Sequence, residues 1–412
     1  MRILFVSAYF PPEVGAPANR VHELARRWAR QGHRVSVLTG FPNHPTGVVP
    51  ADYRAGYARL VMRETPDGIG VTRCWLYTSP NRKPWERILN YGSFGLSAAL
   101  VGPWLERPDI VVATSPHLLV GVAGWWLSRL FRAPFCLELR DLWPESLVAS
   151  GVASPRSGLI RSLRRLAGFL YRRADLIVTV TEPMAQALRT GWNVPDSRLA
   201  VIEHGVDGNR FRPMETVDEQ PVVSYIGTVG LAHGLTTLLE AAERLQTKEP
   251  SLLFLIVGEG ADKERLLALA SERSLENVRF LPQQPRQEIP ALINRSAVCA
   301  ALLKPDETET FQGVLPTKVL EYLACGKPVV LAARGHARRI LEEAQGGLAV
   351  EPGDAEGLAS AILTLVRDPD LRRRCGDLGR RYVVERFDLD RQADLYLDLL
   401  NRTVNQCLVR TS

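Results

Sequence analysis

The chain has 412 residues and a net charge of +6, with 46% hydrophobic and 23% charged residues. This composition is typical of a folded globular protein, and the length allows two domains of about 200 residues each. It excludes a disordered chain, a collagen-like chain and a small disulfide-rich scaffold. The six cysteines are scattered and form no Cys-x-x-Cys pair, which argues against a structural zinc site and favours a reducing compartment.

Charge is unevenly distributed along the chain. Residues 1–210 carry a net charge of +10, and the remaining residues carry −4. A basic half favours a partner that bears phosphate or a membrane surface, and a solvated arginine-rich surface explains it equally well. No basic-aromatic motif typical of nucleic-acid readers is present, so we expect no nucleic-acid partner.

The first half of the chain alternates short apolar runs with helical segments. Because the chain starts directly with such a run, we expect no signal peptide, and no stretch reaches the roughly 18 uncharged apolar residues of a spanning helix. Continuous β-branched runs separated by helices predict a parallel, doubly wound sheet. Strands are predicted at residues 2–7, 34–39, 110–114, 134–139, 176–180 and 201–202, with helices at residues 18–31 and from about residue 183.

The same pattern restarts after a polar segment, residues 214–221, which we interpret as an interdomain linker. Strands are predicted at residues 222–226, 252–257, 278–280, 298–303 and 329–332, and helices at residues 235–245 and 388–408. The prediction is an α/β protein of two doubly wound Rossmann-like domains, facing each other across a cleft where ligands bind. The predicted parts are an N-terminal domain 1–213, a C-terminal domain 214–385, and a helix 386–412 that packs back toward the N-terminal domain.

The first predicted strand leads into a loop with small residues, Gly15 and Ala16, followed by a helix. Small residues allow an anion to approach the backbone N–H groups at a helix N-terminus, so this loop is a candidate phosphate site. It lacks the Gly-x-Gly-x-x-Gly dinucleotide fingerprint, and an ordinary strand–helix loop remains the alternative.

A more specific candidate site lies at residues 311–328. Pro316 and Thr317 start a predicted helix, and Lys318 and Glu321 share the face of its first turn. A lysine with backbone donors at a positive helix end suits a diphosphate, and a carboxylate one turn later suits ribose hydroxyls. Only six lysines occur in the chain, and Lys304 belongs to the same region. The alternative for Lys318 and Glu321 is a surface pair three residues apart.

The sequence resembles the retaining nucleotide-sugar glycosyltransferases of glycosyltransferase family 4, which have the GT-B fold. It resembles most closely their bacterial surface-polysaccharide branch, including N-acetyl-L-fucosamine transferases of O-antigen synthesis. The resemblance covers nearly the whole chain. It is carried by residues 9–13 (YFPPE), 39–45 (TGFPNHP), 139–146 (LRDLWPES), 204–207 (HGVD) and 316–328 (PTKVLEYLACGKP).

Several positions depart from the pattern of that family. Its paired acids would place a first Glu at position 313, which is Gly, so only the ribose-side Glu321 remains. Its diphosphate-clamping Arg and Lys would lie near Thr228 and His233, and neither is a permanent cation. The resemblance therefore implies that Lys318, Lys304 and backbone donors hold the diphosphate, with charge on His233 only if it is protonated. These backbone donors belong to Gly227, Thr228, Val229 and Gly230.

Candidate catalytic residues lie after two predicted strands of the first domain. The resemblance makes His117 a candidate for a donor-sugar contact, with an ordinary loop histidine as the alternative. Glu138, Arg140 and Asp141 are expected at the cleft, and a structural ion pair is the alternative for Arg140 and Asp141. Retaining members are thought to react on one face of the sugar, with the leaving phosphate assisting the acceptor. No side-chain nucleophile is then required.

Metal binding is not expected. Residues 368–370 and 388–390 have Asp-x-Asp spacing, but both occur at predicted helix boundaries, where Asp favours helix starts. We therefore expect no metal and no cofactor, with the nucleotide sugar acting as a substrate.

A basic segment, residues 155–173, has a leucine-rich helical stripe interleaved with arginines and contains no acid. Such a helix is attracted to anionic headgroups, and the alternative is that the stripe packs on the sheet. The apolar residues 88–105 could add an apolar edge to the membrane-facing surface of the same basic domain. We expect a cytoplasmic protein that is peripheral on the inner face of the cell membrane.

The resemblance implies a metal-independent transferase that moves a hexose, an amino or deoxy sugar, from a nucleoside diphosphate. UDP is the expected nucleotide, with its base near Phe280 and Leu281, and the expected acceptor is a polyprenyl-diphosphate-linked or other glycan. Two alternatives remain: a nucleotide-sugar epimerase, and a non-catalytic protein that binds sugar nucleotides.

Overall fold

The computed structural model describes residues 1–13, 15–44, 46–80, 84–115, 118–149, 153–215, 220–305 and 310–411. The chain divides into two compact units. The first comprises Met1–Glu203 and Asp390–Ser412, and the second comprises His204–Leu389. The division between the units falls after Glu203, ten residues before the boundary at residue 213 that the sequence suggests. The C-terminal helix belongs to the first unit from Asp390 onward.

The first unit is built on an eight-stranded sheet. Its strands are β1 (Arg2–Val6), β2 (Arg34–Gly40), β3 (Val61–Glu64), β4 (Gly70–Cys74), β5 (Ile110–Thr114), β6 (Phe135–Leu139), β7 (Leu176–Thr179) and β8 (Leu199–Val201). The order is β3-β4-β2-β1-β5-β6-β7-β8, and every pair is parallel except β3 with β4. The helices are α1 (Ala16–Arg30), α2 (Ala51–Ala58), α3 (Pro84–Val101), α4 (Leu118–Phe131), α5 (Glu145–Ala149), α6 (Gly158–Arg173) and α7 (Glu182–Trp192).

Two apolar cores lie on the two faces of this sheet. Helices α3, α4, α6 and α7 contribute to one core, which includes Phe94, Leu127 and Leu170. Helix α1 packs on the other face, because its apolar residues recur at helical spacing and include the buried Trp28. The C-terminal helix joins it there: Tyr396 contacts the Trp28 ring edge-on, with ring centroids 5.4 Å apart.

The second unit is built on a six-stranded, fully parallel sheet in the order β11-β10-β9-β12-β13-β14. Its strands are β9 (Val222–Ile226), β10 (Leu253–Val257), β11 (Val278–Leu281), β12 (Val298–Leu302), β13 (Val329–Ala332) and β14 (Gly347–Val350). Its helices are α8 (Thr236–Gln246), α9 (Lys263–Glu272), α10 (Ile289–Asn294), α11 (Thr317–Ala324), α12 (Gly335–Ala344), α13 (Ala355–Arg367) and α14 (Pro369–Arg386), and α15 (Leu389–Thr411) ends the chain.

The predicted α/β class and the doubly wound sheets are confirmed. The sequence-based prediction missed three strands, β3, β4 and β14. Strand β3 adds an antiparallel edge to a sheet that was expected to be parallel, and β14 was not predicted, because its four residues are only half-buried and carry a weak apolar signal. Among the described residues, no helix combines the length and the hydropathy that crossing a bilayer requires.

Candidate active site

The candidate donor site starts where strand β9 ends. Gly227 has a positive φ of 144° and lies against Lys318, whose Nζ would be 3.0 Å from a Cβ at this position. At the end of β10, a Cβ on Gly258 would lie 1.9 Å from the carbonyl oxygen of Gly227. The two strand ends therefore approach so closely that only glycine fits at Gly258.

The loop after β9 presents both backbone and side-chain groups. Thr228 is exposed and Val229 is buried, with its N–H bonded to the carbonyl of Glu259 at 2.9 Å. The hydroxyl of Tyr225 donates to the carbonyl of Thr228 at 2.6 Å, which fixes the loop on the sheet. Gly230 then begins the short 3-10 helix Leu231–His233.

Lys318 lies on the first turn of α11, as the sequence predicts. Lys318 as a whole is half-buried, but its Nζ is fully buried and lies 3.6 Å from the centroid of the Tyr225 ring. This Nζ has no hydrogen-bond partner among the described residues. Burial lowers the pKa of Lys318 to about 7, although Glu321 acts in the opposite direction. The structure thus places this amine directly against the loop at Gly227 instead of at the surface.

Glu321, one turn later, has a different partner. It accepts a hydrogen bond of 2.6 Å from Arg286, whose guanidinium lies 4.7 Å from the centroid of the Phe211 ring. Arg286 therefore holds the carboxylate in a fixed position on the helix. This leaves one carboxylate oxygen available for the ribose contact that the family resemblance implies.

The other predicted donor residues surround the same loop. The N–H of Lys304 donates to the carbonyl of Ala232 at 2.8 Å, and the Lys304 side chain is exposed. Burial lowers the pKa of His233 to about 3, and Lys318 acts in the same direction. His233 is therefore uncharged near neutral pH. Phe280 and Leu281, the predicted base contacts, are half-buried at the end of β11, and Pro316 and Thr317 are half-buried where α11 begins.

In the first unit, the predicted catalytic residue Glu138 is fully buried on β6. It accepts hydrogen bonds from Arg20 at 2.9 Å and from the hydroxyl of Thr114 at 2.7 Å. Burial raises the pKa of Glu138, but Arg20, Arg140 and the Thr114 bond outweigh burial and hold it below its ordinary value. This carboxylate belongs to a buried ion pair that joins α1 to the sheet.

Arg140 and Asp141 follow β6 and are half-buried. Arg140 donates to the carbonyl of Ser115 through Nε at 2.8 Å, and burial lowers its pKa to about 10. Burial raises the pKa of Asp141 to about 6, against hydrogen bonds from Ser146 and the backbone of Leu142. His117 lies outside the described residues, so its predicted donor contact stays a prediction.

Gly15 and Ala16, the predicted phosphate-loop residues, stand at the start of α1, which has no side-chain cap. The preceding Glu13 is buried and accepts hydrogen bonds of 3.0 Å from the backbone N–H groups of Asn43 and His44. Burial raises the pKa of Glu13 to about 7. Glu13 therefore joins the loops that follow β1 and β2.

The two Asp-x-Asp pairs lie at helix ends. Asp368 accepts a hydrogen bond from the N–H of Leu371 and caps α14, and Asp390 pairs with Arg27 of α1. Among the described ranges, no group of three or more His, Cys, Asp or Glu residues is arranged to hold a metal ion.

Sequence reasoning missed Tyr225, Arg286 and Arg20, three residues that hold the predicted ones in place. Tyr225 is 93 residues from Lys318, and Arg20 is 118 residues from Glu138. The pairing of β9 with its neighbours brings Tyr225 to Lys318, and the packing of α1 on the sheet brings Arg20 to Glu138. The one available signal is a tyrosine inside a mostly apolar strand next to the glycine loop.

The two parallel-sheet Rossmann-like units, with a glycine loop and a lysine-bearing helix at the carboxyl edge of the second, define a GT-B glycosyltransferase. A family model described as "Glycosyl transferase 4-like domain" matches residues 15–205, and one described as "Glycosyl transferases group 1" matches residues 208–382. Together they span most of the chain. The chain therefore belongs to the group 1 glycosyltransferases of family 4, and it is a transferase enzyme.

Known proteins resemble the chain over almost its whole length. The putative colanic acid biosynthesis glycosyl transferase WcaI of Escherichia coli (strain K12) is 27% identical over 88% of this chain and 91% of that protein. A sucrose-phosphate synthase from Thermosynechococcus elongatus has a TM-score of 0.73 at 21% identity and covers all of both chains. Anabaena Alr3699/HepE in complex with UDP-glucose has a TM-score of 0.72 at 18% identity, covering 98% of this chain and 100% of that chain. The structural likenesses establish the GT-B fold.

Proposed function

We propose that the protein is a retaining glycosyltransferase of surface polysaccharide synthesis. It transfers a hexose, an amino or deoxy sugar, from a UDP-sugar to a lipid-linked saccharide acceptor. The observation that carries this proposal is the arrangement of Lys318 and Glu321 on one turn of α11, beside the loop at Gly227. The likenesses to WcaI, named for colanic acid biosynthesis, and to HepE with UDP-glucose support the pathway and the nucleotide.

The chemistry of the second unit suits a nucleoside diphosphate. The N–H groups of Gly227 and Val229 already donate to the carbonyls of Val257 and Glu259, so Thr228 and Gly230 are the candidate backbone donors after β9. Together with the amine of Lys318 and the N-terminus of α11, which also attract negative charge, they would bind the diphosphate. Glu321, held by Arg286, would accept from the ribose hydroxyls. In the first unit, Arg140 and Asp141 are the charged groups after β6 that could contact the sugar or the acceptor.

The test is a screen of UDP-sugars with and without polyprenyl-diphosphate-linked saccharides. Transfer with retention of the anomeric configuration, determined by NMR of the product, supports the proposal. Interconversion of the sugar without transfer identifies the epimerase alternative. Tight UDP binding without either reaction identifies the non-catalytic alternative.

We expect excess EDTA to leave transfer activity unchanged. No cluster of metal-ligating side chains occurs in the described ranges, so helix ends and Lys318 would have to offset the diphosphate charge. The measurement is the initial transfer rate before and after chelation. A loss that Mg²⁺ or Mn²⁺ restores would contradict the prediction.

We also propose that the first unit binds an anionic membrane surface, chiefly through α3. The outward face of this helix is apolar: Trp85, Ile88, Leu89, Leu96 and Leu100 are each 47–65% exposed. At 100° per residue these five fall within about 120° of one another, so they form one continuous stripe. A soluble helix normally turns its polar face outward, and this reversal is typical of an interaction surface.

The basic helix α6 contributes to this surface differently from the prediction, in which its leucine-rich stripe contacts the membrane. Its stripe packs into the core, because Ile160, Ala167 and Leu170 are buried. Its arginines are exposed and could contact anionic headgroups, although Arg164 already pairs with Glu145 at 3.2 Å. Helix α4 packs between α3 and α6 and exposes Trp126 and Leu130. Apolar contact from α3 and positive charge from α6 thus lie on the same layer of helices.

The membrane proposal predicts flotation with vesicles that contain phosphatidylglycerol, weaker flotation with neutral vesicles, and release by salt. Leu96→Glu should reduce binding about tenfold, because it removes an apolar insertion and adds a repelled charge. Leu395→Glu is the matched control, since Leu395 is 45% exposed on α15. Equal binding of the two variants would contradict the role of α3, and concentration-dependent dimerisation abolished by Leu96→Glu would identify a self-association surface instead.

A further inference from the structure

In the second unit, two buried basic nitrogens that have no hydrogen-bond partner among the described residues lie beside one aromatic ring. They are Nζ of Lys318 and Nδ1 of His233, and both side chains lie against the ring of Tyr225. Buried polar atoms are nearly always hydrogen-bonded, so two unpartnered nitrogens in one cluster need a physical explanation. Both nitrogens lie beneath the loop that starts at Gly227, where the proposed function places the negatively charged diphosphate. We therefore relate the two nitrogens to diphosphate binding.

We propose that binding of the donor diphosphate is coupled to the uptake of a proton by Lys318, whose buried Nζ lies against the Tyr225 ring. This inference rests on the proposed function, and it specifies how the site acquires positive charge without the permanent cations that the family places near Thr228 and His233.

The surroundings of Lys318 explain why the neutral amine is favoured there. In the part of the chain that the structure describes, the titratable groups that face it are Tyr225, His233 and Glu321, and Glu321 is held in an ion pair with Arg286. Among the described residues, the face of the Tyr225 ring and the more distant Glu321 carboxylate are the groups that stabilise a buried ammonium here. Charging the amine at this position is costly until an anion arrives.

A diphosphate at the loop would reverse this balance. It would bring at least two negative charges close to Nζ, which lies 3.0 Å from the position that a Cβ at Gly227 would take, and opposite charge at such a distance strongly favours the ammonium. His233 begins from a much lower pKa and donates to the carbonyl of Leu302, so we assign the proton to Lys318.

The test is calorimetry of UDP binding at pH 8, in buffers that differ in ionisation enthalpy. UDP is almost fully ionised at that pH, so the slope of the observed enthalpy against buffer ionisation enthalpy reports protons taken up by the protein. We expect close to one proton per UDP, and a UDP affinity that falls about tenfold between pH 8 and pH 9.

Variants assign the proton to one residue. Lys318→Arg keeps a permanent cation, so proton uptake and the dependence of UDP affinity on pH should both disappear. His233→Gln and the exposed-lysine control Lys248→Met should retain the uptake. Wild-type binding without uptake would overturn the inference and leave the proposed function intact. Uptake lost in His233→Gln would overturn the assignment to Lys318, and a chain that does not bind UDP at all would contradict the proposed function as well.

Discussion

Replacing Lys318 by methionine is expected to weaken UDP binding about 10- to 150-fold and at the same time to stabilise the second unit. The loss of affinity follows from removing a charge-assisted hydrogen bond to the diphosphate, which contributes about 1.5–3 kcal/mol. The gain in stability follows because Nζ is buried without a hydrogen-bond partner in the described part of the chain, which costs about 1–3 kcal/mol. Methionine fills the space against Tyr225 without a polar atom. Calorimetry with UDP and thermal unfolding measure the two effects.

The opposite signs of these effects make the prediction specific. A lysine with a purely structural role would lose stability on substitution, and a lysine at the surface would change neither property. Lys248→Met, an exposed lysine of the second unit, is the matched control and should leave both measurements unchanged. Because burial lowers the pKa of Lys318 to about 7, the folded state binds fewer protons than the unfolded state above that pH. The wild-type free energy of unfolding should therefore rise relative to that of Lys318→Met as the pH increases from 7 towards 10.

The elements of the fold could be predicted well from the sequence because buried parallel strands are continuous apolar runs. Strands β5, β9 and β13 have the predicted bounds, and the helix that carries Lys318 starts at Thr317 as expected. The antiparallel β3 could not be predicted, since none of its four residues is fully buried and its apolar pattern is correspondingly weak.

The candidate site was predictable in its residue types but not in its partners. The motif around Lys318 and Glu321 indicated a diphosphate and a ribose, but their contacts with Tyr225 and Arg286 depend on tertiary packing. The apolar character of α3 was also visible in the sequence. Its orientation was not, because both faces carry apolar residues and only the packing shows that Phe94 is buried while Leu96 is exposed.

Replacing Glu138 by alanine is expected to destabilise the first unit by about 3–5 kcal/mol. The Glu138 side chain has no exposure, and its partner Arg20 is 4% exposed, so the substitution leaves a buried guanidinium without its counter-charge. The hydroxyl of Thr114 also loses its acceptor. Chemical denaturation at pH 7 measures the effect, and Glu106→Ala, which removes an exposed ion pair with Arg34, is the matched control with an expected loss of about 0–1 kcal/mol.

The pH dependence of this effect follows from the pKa of Glu138. Because its pKa is held below the ordinary value in the folded state, the stabilisation is present above the unfolded-state pKa. It is lost as the pH falls through the folded-state pKa. The difference in unfolding free energy between wild type and Glu138→Ala should therefore shrink in acid, and a difference that grows as the pH falls would contradict the ion pair as its source.

The double variant Arg20→Met with Glu138→Leu separates a structural role of this pair from a catalytic one. Removing both charges eliminates the unpaired guanidinium, so the double variant should be more stable than Glu138→Ala, even though the carbonyl groups of Ile202 and Glu203 lose their donor. If Glu138 acts only through the ion pair, the transfer activity of the folded double variant should recover along with its stability. If Glu138 contacts the sugar or the acceptor, the double variant will be folded, bind UDP normally and remain inactive, and Glu138 will belong to the catalytic residues that the sequence suggested.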